Sequence, residues 1–93
     1  MTEVRYDLGD KILIEVSGHC EDSVICSCIS TLAAALEGWL ENNEVGYDYR
    51  VDDGYCCFDI MEGGRVCAEM FLIGVMRLEK MFPDMVKTTD MQR

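Results

Sequence analysis

The stretch VSGHCEDSVICSCIS, residues 16–30, carries the chain from an apolar run into a helix and holds its only histidine together with three of its six cysteines. The run before it, KILIEV, is rich in β-branched residues and predicts a strand. Beyond it, Val24, Ile25, Cys28, Ile29, Leu32, Leu36, Trp39 and Leu40 recur at three- and four-residue spacing, which predicts an amphipathic helix over residues 24–40. Asp22 or Ser23 is placed to cap it. Gly18 and His19 therefore stand where the strand stops, and Cys26 stands in the first turn of the helix.

Working outward, EVRYD and KILIEV flank LGD and predict a hairpin with its turn near Gly9. After the helix, ENNEVG breaks the pattern, and YDYRV and YCCFDIM bracket DDG, a tight-turn signal between two further strands. Past EGG, the positions Val66, Met70, Ile73, Met76 and Leu78, with Phe71, Leu72 and Val75, predict a mostly apolar helix that is buried on more than one side and ends before Pro83. The tail DMVKTTDMQR is short and polar at its end. The resulting order is ββαββα. The expected fold is α+β, a two-layer domain with a four-stranded, mainly antiparallel sheet and two helices on one face, filling residues 1–93 as a single domain. Leu32, Leu36, Trp39, Ile73 and Met76 are expected in one core.

The totals bound the function. Eighteen acidic against eight basic residues leave a formal charge of −10, which repels phosphate backbones and argues against a nucleic-acid partner. The same field attracts a basic polypeptide, although an acidic surface also serves solubility alone. The N-terminus has no basic head with an apolar stretch behind it, and no run approaches the roughly 18 apolar residues of a membrane span. A cytoplasmic protein with no membrane partner and with reduced thiols is the expectation.

A thiol becomes a nucleophile when its thiolate is stabilised, and a helix N-terminus and a neighbouring imidazole both do so. Cys26 meets the first condition, and His19, seven residues back, stands in the loop before it. At about 100° per residue, Ser23, Cys26, Ser30 and Ala33 lie together beside the apolar stripe. Small neighbours leave space for a substrate chain, but they equally let a helix approach a sheet, so Cys26 by itself fits either a nucleophile or a small half-buried residue. Cys28 and Cys67 fall in apolar patterns and read as core residues. Cys56 and Cys57 are adjacent in a strand and face opposite sides, so at most one of them approaches Cys26. A zinc site from His19, Cys20, Cys26 and Cys28 is disfavoured, because no C-x-x-C knuckle occurs and Cys26 and Cys28 point roughly 200° apart on one helix. No metal and no cofactor is expected.

These residues, in this order, resemble the ribosomal-processing cysteine protease family, Prp, also called YsxB-like. In that family a strand ends in Gly-His-Ala, and after a loop a helix opens with a sequence of the type Ile-Val-Cys-Ala-Ala-Val-Ser. Gly18-His19-Cys20 matches the first element and Val24-Ile25-Cys26-Ser27-Cys28-Ile29-Ser30 the second, with FLIGVMRLEKMFPDMV similar to the family's second helix and exit. The resemblance implies a cysteine endopeptidase with His19 as general base and Cys26 as nucleophile, supported by Gly18, Ser23, Ser27 and Ser30. It also implies a homodimer and a basic substrate, the N-terminal extension of a large-subunit ribosomal protein or a similar precursor such as a phage structural protein. The oxyanion would be met by unpaired N–H groups at the helix start. Two departures stand out: only CEDSVI separates His19 from Cys26, where the family loop is several residues longer, and Cys20 replaces the family's alanine. The alternative of another class is a catalytically silent acidic module that binds a basic protein.

Overall fold

The computed structural model describes residues 1–18 and 22–92. Strands β1 (Thr2–Leu8) and β2 (Ile12–Ser17) form the first hairpin, helix α1 spans Ser23–Asn42, and β3 (Tyr47–Asp52) and β4 (Tyr55–Ile60) form the second. The second turn uses Gly54 at φ 68°, a left-handed conformation open to glycine at no steric cost. A single 3-10 turn, Glu62–Gly64, leads into helix α2, Arg65–Met81.

The chain does not end there. Val86–Asp90 forms a fifth strand, β5, so the sheet has five strands in the order β3-β4-β2-β1-β5. This corrects the expected four-stranded sheet: β1/β2, β2/β4 and β3/β4 are antiparallel, and β5 runs parallel to β1. The tail reads as polar because only Val86 of β5 is buried. The rest of the strand is held by hydrogen bonds: Thr88 donates through its backbone N–H and its hydroxyl to the Glu79 carboxylate on α2, and the Thr89 hydroxyl donates to Glu3 on β1 at 2.8 Å. β-branched threonine suits such an edge without any apolar alternation.

Directly paired residues share a face, so the register places Val4, Ile14 and Phe58 together on the inner face, with Ile12 beside Ile60 and Thr2 beside Val86. On these pack Ile25, Ile29, Leu36 and Leu40 of α1 and Ala68, Phe71, Leu72 and Val75 of α2, forming one core with both helices on the same face of the sheet, as expected. The other face carries Glu3, Arg5, Glu15, Cys57 and Arg50, a charged row in which the Tyr55 hydroxyl donates to Glu15 at 3.0 Å.

Three core assignments change. Leu36 is buried and Leu32 packs at the core margin, but Trp39 is 40% exposed, Ile73 57% and Met76 37%. In α2 the buried stripe lies on the other side from the one the spacing suggested, because Val66, Ile73 and Met76 recur at helical spacing on the side that also carries Glu69, Arg77 and Lys80. Val66 and Met70, each 67% exposed, stand outside as well. By length and composition alone α1 would also cross a membrane, against the sequence expectation of no such run, but in this fold its apolar stripe covers the sheet.

Candidate active site

Gly18 closes β2 with φ 91°, its N–H donating to the Gly54 carbonyl at 2.9 Å. A Cβ built there would lie 2.4 Å from the Met1 carbonyl oxygen, so the position excludes a side chain on two counts. Glycine is thus required by the backbone of the strand end, before any role in admitting a substrate. His19 and Cys20 lie outside the described residues, and with them the general-base assignment.

At the head of α1, Asp22 is the N-cap. Its Oδ1 accepts from the N–H groups of Val24 at 2.8 Å and Ile25 at 3.3 Å, and its carbonyl accepts from the Cys26 N–H at 3.0 Å. The reading of free amides at the helix start as an oxyanion hole is therefore corrected for these three donors, which Asp22 already occupies. An oxyanion formed at Cys26 would have to displace the Asp22 carboxylate or meet donors outside these three.

Cys26 itself is exposed, unlike Cys28, Cys56, Cys57 and Cys67, which are half-buried free thiols. Burial pushes the Cys56 thiol up, partly offset by a hydrogen bond with Tyr49, and burial pushes Cys67 up too. Both are poorer thiolates for it. The opposite facing of Cys56 and Cys57 holds: Cys56 pairs with Val16 and Val51 on the inner face, and Cys57 with Glu15 and Arg50 on the outer one.

The predicted serines divide. Ser30 lies on the side of Cys26 and lines a groove between α1 and the β3–β4 hairpin together with Ala33, Tyr49, Cys56 and Phe58. Ser23 and Ser27 instead line a second groove, between α1 and α2, with Cys28, Leu32, Gly74 and Leu78. Ser27 is one residue past Cys26 and so points about 100° away from it. Glu37 and Glu41, which no motif singles out, continue the line Cys26, Ser30, Ala33 along α1 at three- and four-residue spacing and end in the first groove. The Tyr47 hydroxyl donates to Glu41 at 2.9 Å; burial and this bond push it up to about 12. Tyr49 is raised as well, by burial first and then by Cys56 and Glu37. The spacing was legible; that the line faces a groove was not, because the facing strand is distant in sequence.

No family model and no curated protein matches the sequence. Solved structures do. The crystal structure of the essential ribosomal processing protease Prp from S. aureus, in complex with a covalently linked product peptide, superposes with a TM-score of 0.87 over 97% of this chain and 99% of that one, at 15% identity. The chain has the Prp fold. The same protease in complex with a substrate peptide gives 0.86 at 12% identity over 97% and 99% of the two chains, and SMU.848 from Streptococcus mutans gives 0.85 at 24% identity over 98% and 97%. The family resemblance read from Gly18-His19 and from Cys26 to Ser30 is matched at the level of the whole fold. Within the Prp fold of this chain, Cys26 and Gly18 are placed by the first helix and the second strand.

Proposed function

We propose that this chain is a Prp-type cysteine endopeptidase in which Cys26 attacks the scissile carbonyl and His19 takes its proton. The observation that carries the reading is the exposed Cys26 in the first turn of α1, in a chain that superposes along its full length on Prp with peptide bound. The thiolate adds to the carbonyl carbon, His19 returns the proton to the leaving amine, and water then releases the acyl group from sulfur. The substrate is a basic precursor, the N-terminal extension of a large-subunit ribosomal protein or a phage structural protein, drawn by the −10 charge. The reaction takes place in the cytoplasm. The enzyme acts as a homodimer: Trp39, Val66 and Met70 line an apolar hollow of about 250 Å³ between the helices, and Ile73 extends the exposed strip, an unusual surface for a monomer.

The test is cleavage of a basic precursor peptide. Wild-type protein is expected to cut it, and Cys26→Ser to bind but not cut, since one atom changes on an exposed position. His19→Ala is expected to stop cleavage too. Near neutral pH, iodoacetamide is expected to label Cys26 ahead of the other thiols, with Cys56 and Cys67 slow. Equal labelling of all cysteines, or cleavage by the Cys26→Ser protein, would refute the nucleophile. Equilibrium sedimentation reads the dimer, with Ile73→Glu expected to leave a folded monomer. One observation favours the silent binding module: Asp22 already holds the amide donors of Val24, Ile25 and Cys26. Binding of the peptide without cleavage across pH 6 to 9 is the outcome that selects it.

A further inference from the structure

The groove between α1 and the β3–β4 hairpin holds about 430 Å³, and Ser30, one helical turn beyond Cys26, is among the residues that line it. Its floor is the inner face of β3 and β4, where the Tyr49 and Phe58 rings meet at 4.6 Å between centroids, tilted by 35°. Its wall is the run of small residues Ser30, Ala33, Ala34 and Gly38 on α1. β3 is an edge strand whose residues from Asp48 to Asp52 are all exposed, and an edge of this kind accepts an added extended chain.

Glu37 lies on the same groove. It is half-buried and has no ion-pair or hydrogen-bond partner among the described residues, whereas Glu41 is held by Tyr47. A partly desolvated carboxylate without a cation is relieved by one that a ligand brings. Cys26 and Glu37 are eleven residues apart on one side of α1, a rise of about 16 Å, which an extended chain spans in about five residues. We propose that this groove is the cleft for an extended peptide, and that a lysine or arginine about five residues from the bond held at Cys26 pairs with Glu37. The spacing rests on the protease reading; occupation of the groove does not.

Phage-displayed random linear decapeptides panned on the Cys26→Ser protein test this, with Glu37→Lys and Ala34→Trp added in the same background. Ala34 is exposed, and its tryptophan would fill the groove without entering the core; Gly38→Leu is a second filling variant, because nothing lies within 4 Å of a Cβ built there. Enriched peptides are expected to carry Lys or Arg, Glu37→Lys to turn the preference to Asp or Glu, and either filling variant that melts like the parent to weaken a selected synthetic peptide about tenfold or more. No enrichment, enrichment without a basic residue, an unchanged preference in Glu37→Lys, or full affinity in the folded filling variants overturns the cleft. Wild-type protein is then given the selected peptides. Cleavage about five residues from the basic position supports the register, and cleavage at another spacing overturns it. Binding that obeys Glu37 with no cleavage at all leaves the cleft standing and removes the protease reading.

Discussion

The two helices lie on one face of one sheet, yet they treat their apolar residues differently. α1 buries Ile25, Ile29, Leu36 and Leu40 and turns its small and acidic residues toward the groove over β3. α2 buries Ala68, Phe71, Leu72 and Val75 and leaves Val66, Met70 and Ile73 outside. α1 carries two charged residues in twenty, Glu37 and Glu41, and its large aliphatic side chains mark a single stripe. α2 carries five in seventeen, yet apolar side chains stand among them on the outer side, so the stripe it buries is decided by what it meets.

The sharpest break of that contrast is the pair Phe71→Ala and Ile73→Ala. The first removes a fully buried ring and is expected to cost about 3–5 kcal/mol in chemical denaturation. The second, measured at a protein concentration low enough to hold the chain as a monomer, is expected to stay within about 0.5 kcal/mol. Equal losses would mean that α2 is rotated from the side described here. On α1, Leu36→Ala is expected to cost about 2–5 kcal/mol, and a loss below about 1 kcal/mol would place the stripe at a loose interface.

A smaller effect belongs to the head of α1. Asp22→Ala removes the acceptor of two helical amides and is expected to cost about 0.5–2 kcal/mol. The same change frees the Val24 and Ile25 N–H groups, so cleavage by this variant would rise if those donors serve the oxyanion and stay level or fall if they do not.

The smallest effect is spectroscopic. The Tyr47 hydroxyl is raised to about 12 by burial and its bond to Glu41, and Tyr55 to about 12 chiefly by its bond to Glu15. A folded-state value raised above the unfolded 10 stabilises fully below pH 10, and the contribution is lost as pH rises from 10 to 12. Phenolate absorbance should show a late-titrating component that shrinks in Tyr47→Phe, on the α1 side of the sheet, and separately in Tyr55→Phe on the open face. Tyrosines that all titrate together near 10 would refute both bonds.

Much of the fold was legible. The hairpin turns at Gly9 and at Asp53-Gly54, the limits of both helices to within a few residues, and the position of Cys26 in the first turn of α1 all follow from local spacing and turn chemistry. β5 was not legible, since one buried valine and two hydrogen-bonded threonines carry no periodic signal and its pairing with β1 joins opposite ends of the chain. Of the candidate site, the motif singles out Gly18, Cys26 and Ser30 and groups Ser23 and Ser27 with them, although Ser23 and Ser27 line a different groove from Ser30.

By itself the sequence determined the hairpins, the helices, the acid surplus and the Gly-His and Cys spacing, because each is set by residues within a few positions of one another. Only the tertiary structure decided the fifth strand, the phase of α2, the capture of the first helical amides by Asp22 and the groove along Ser30, Ala33 and Glu37. Those depend on which distant segment packs against which side, and an apolar side chain carries no label that names its partner.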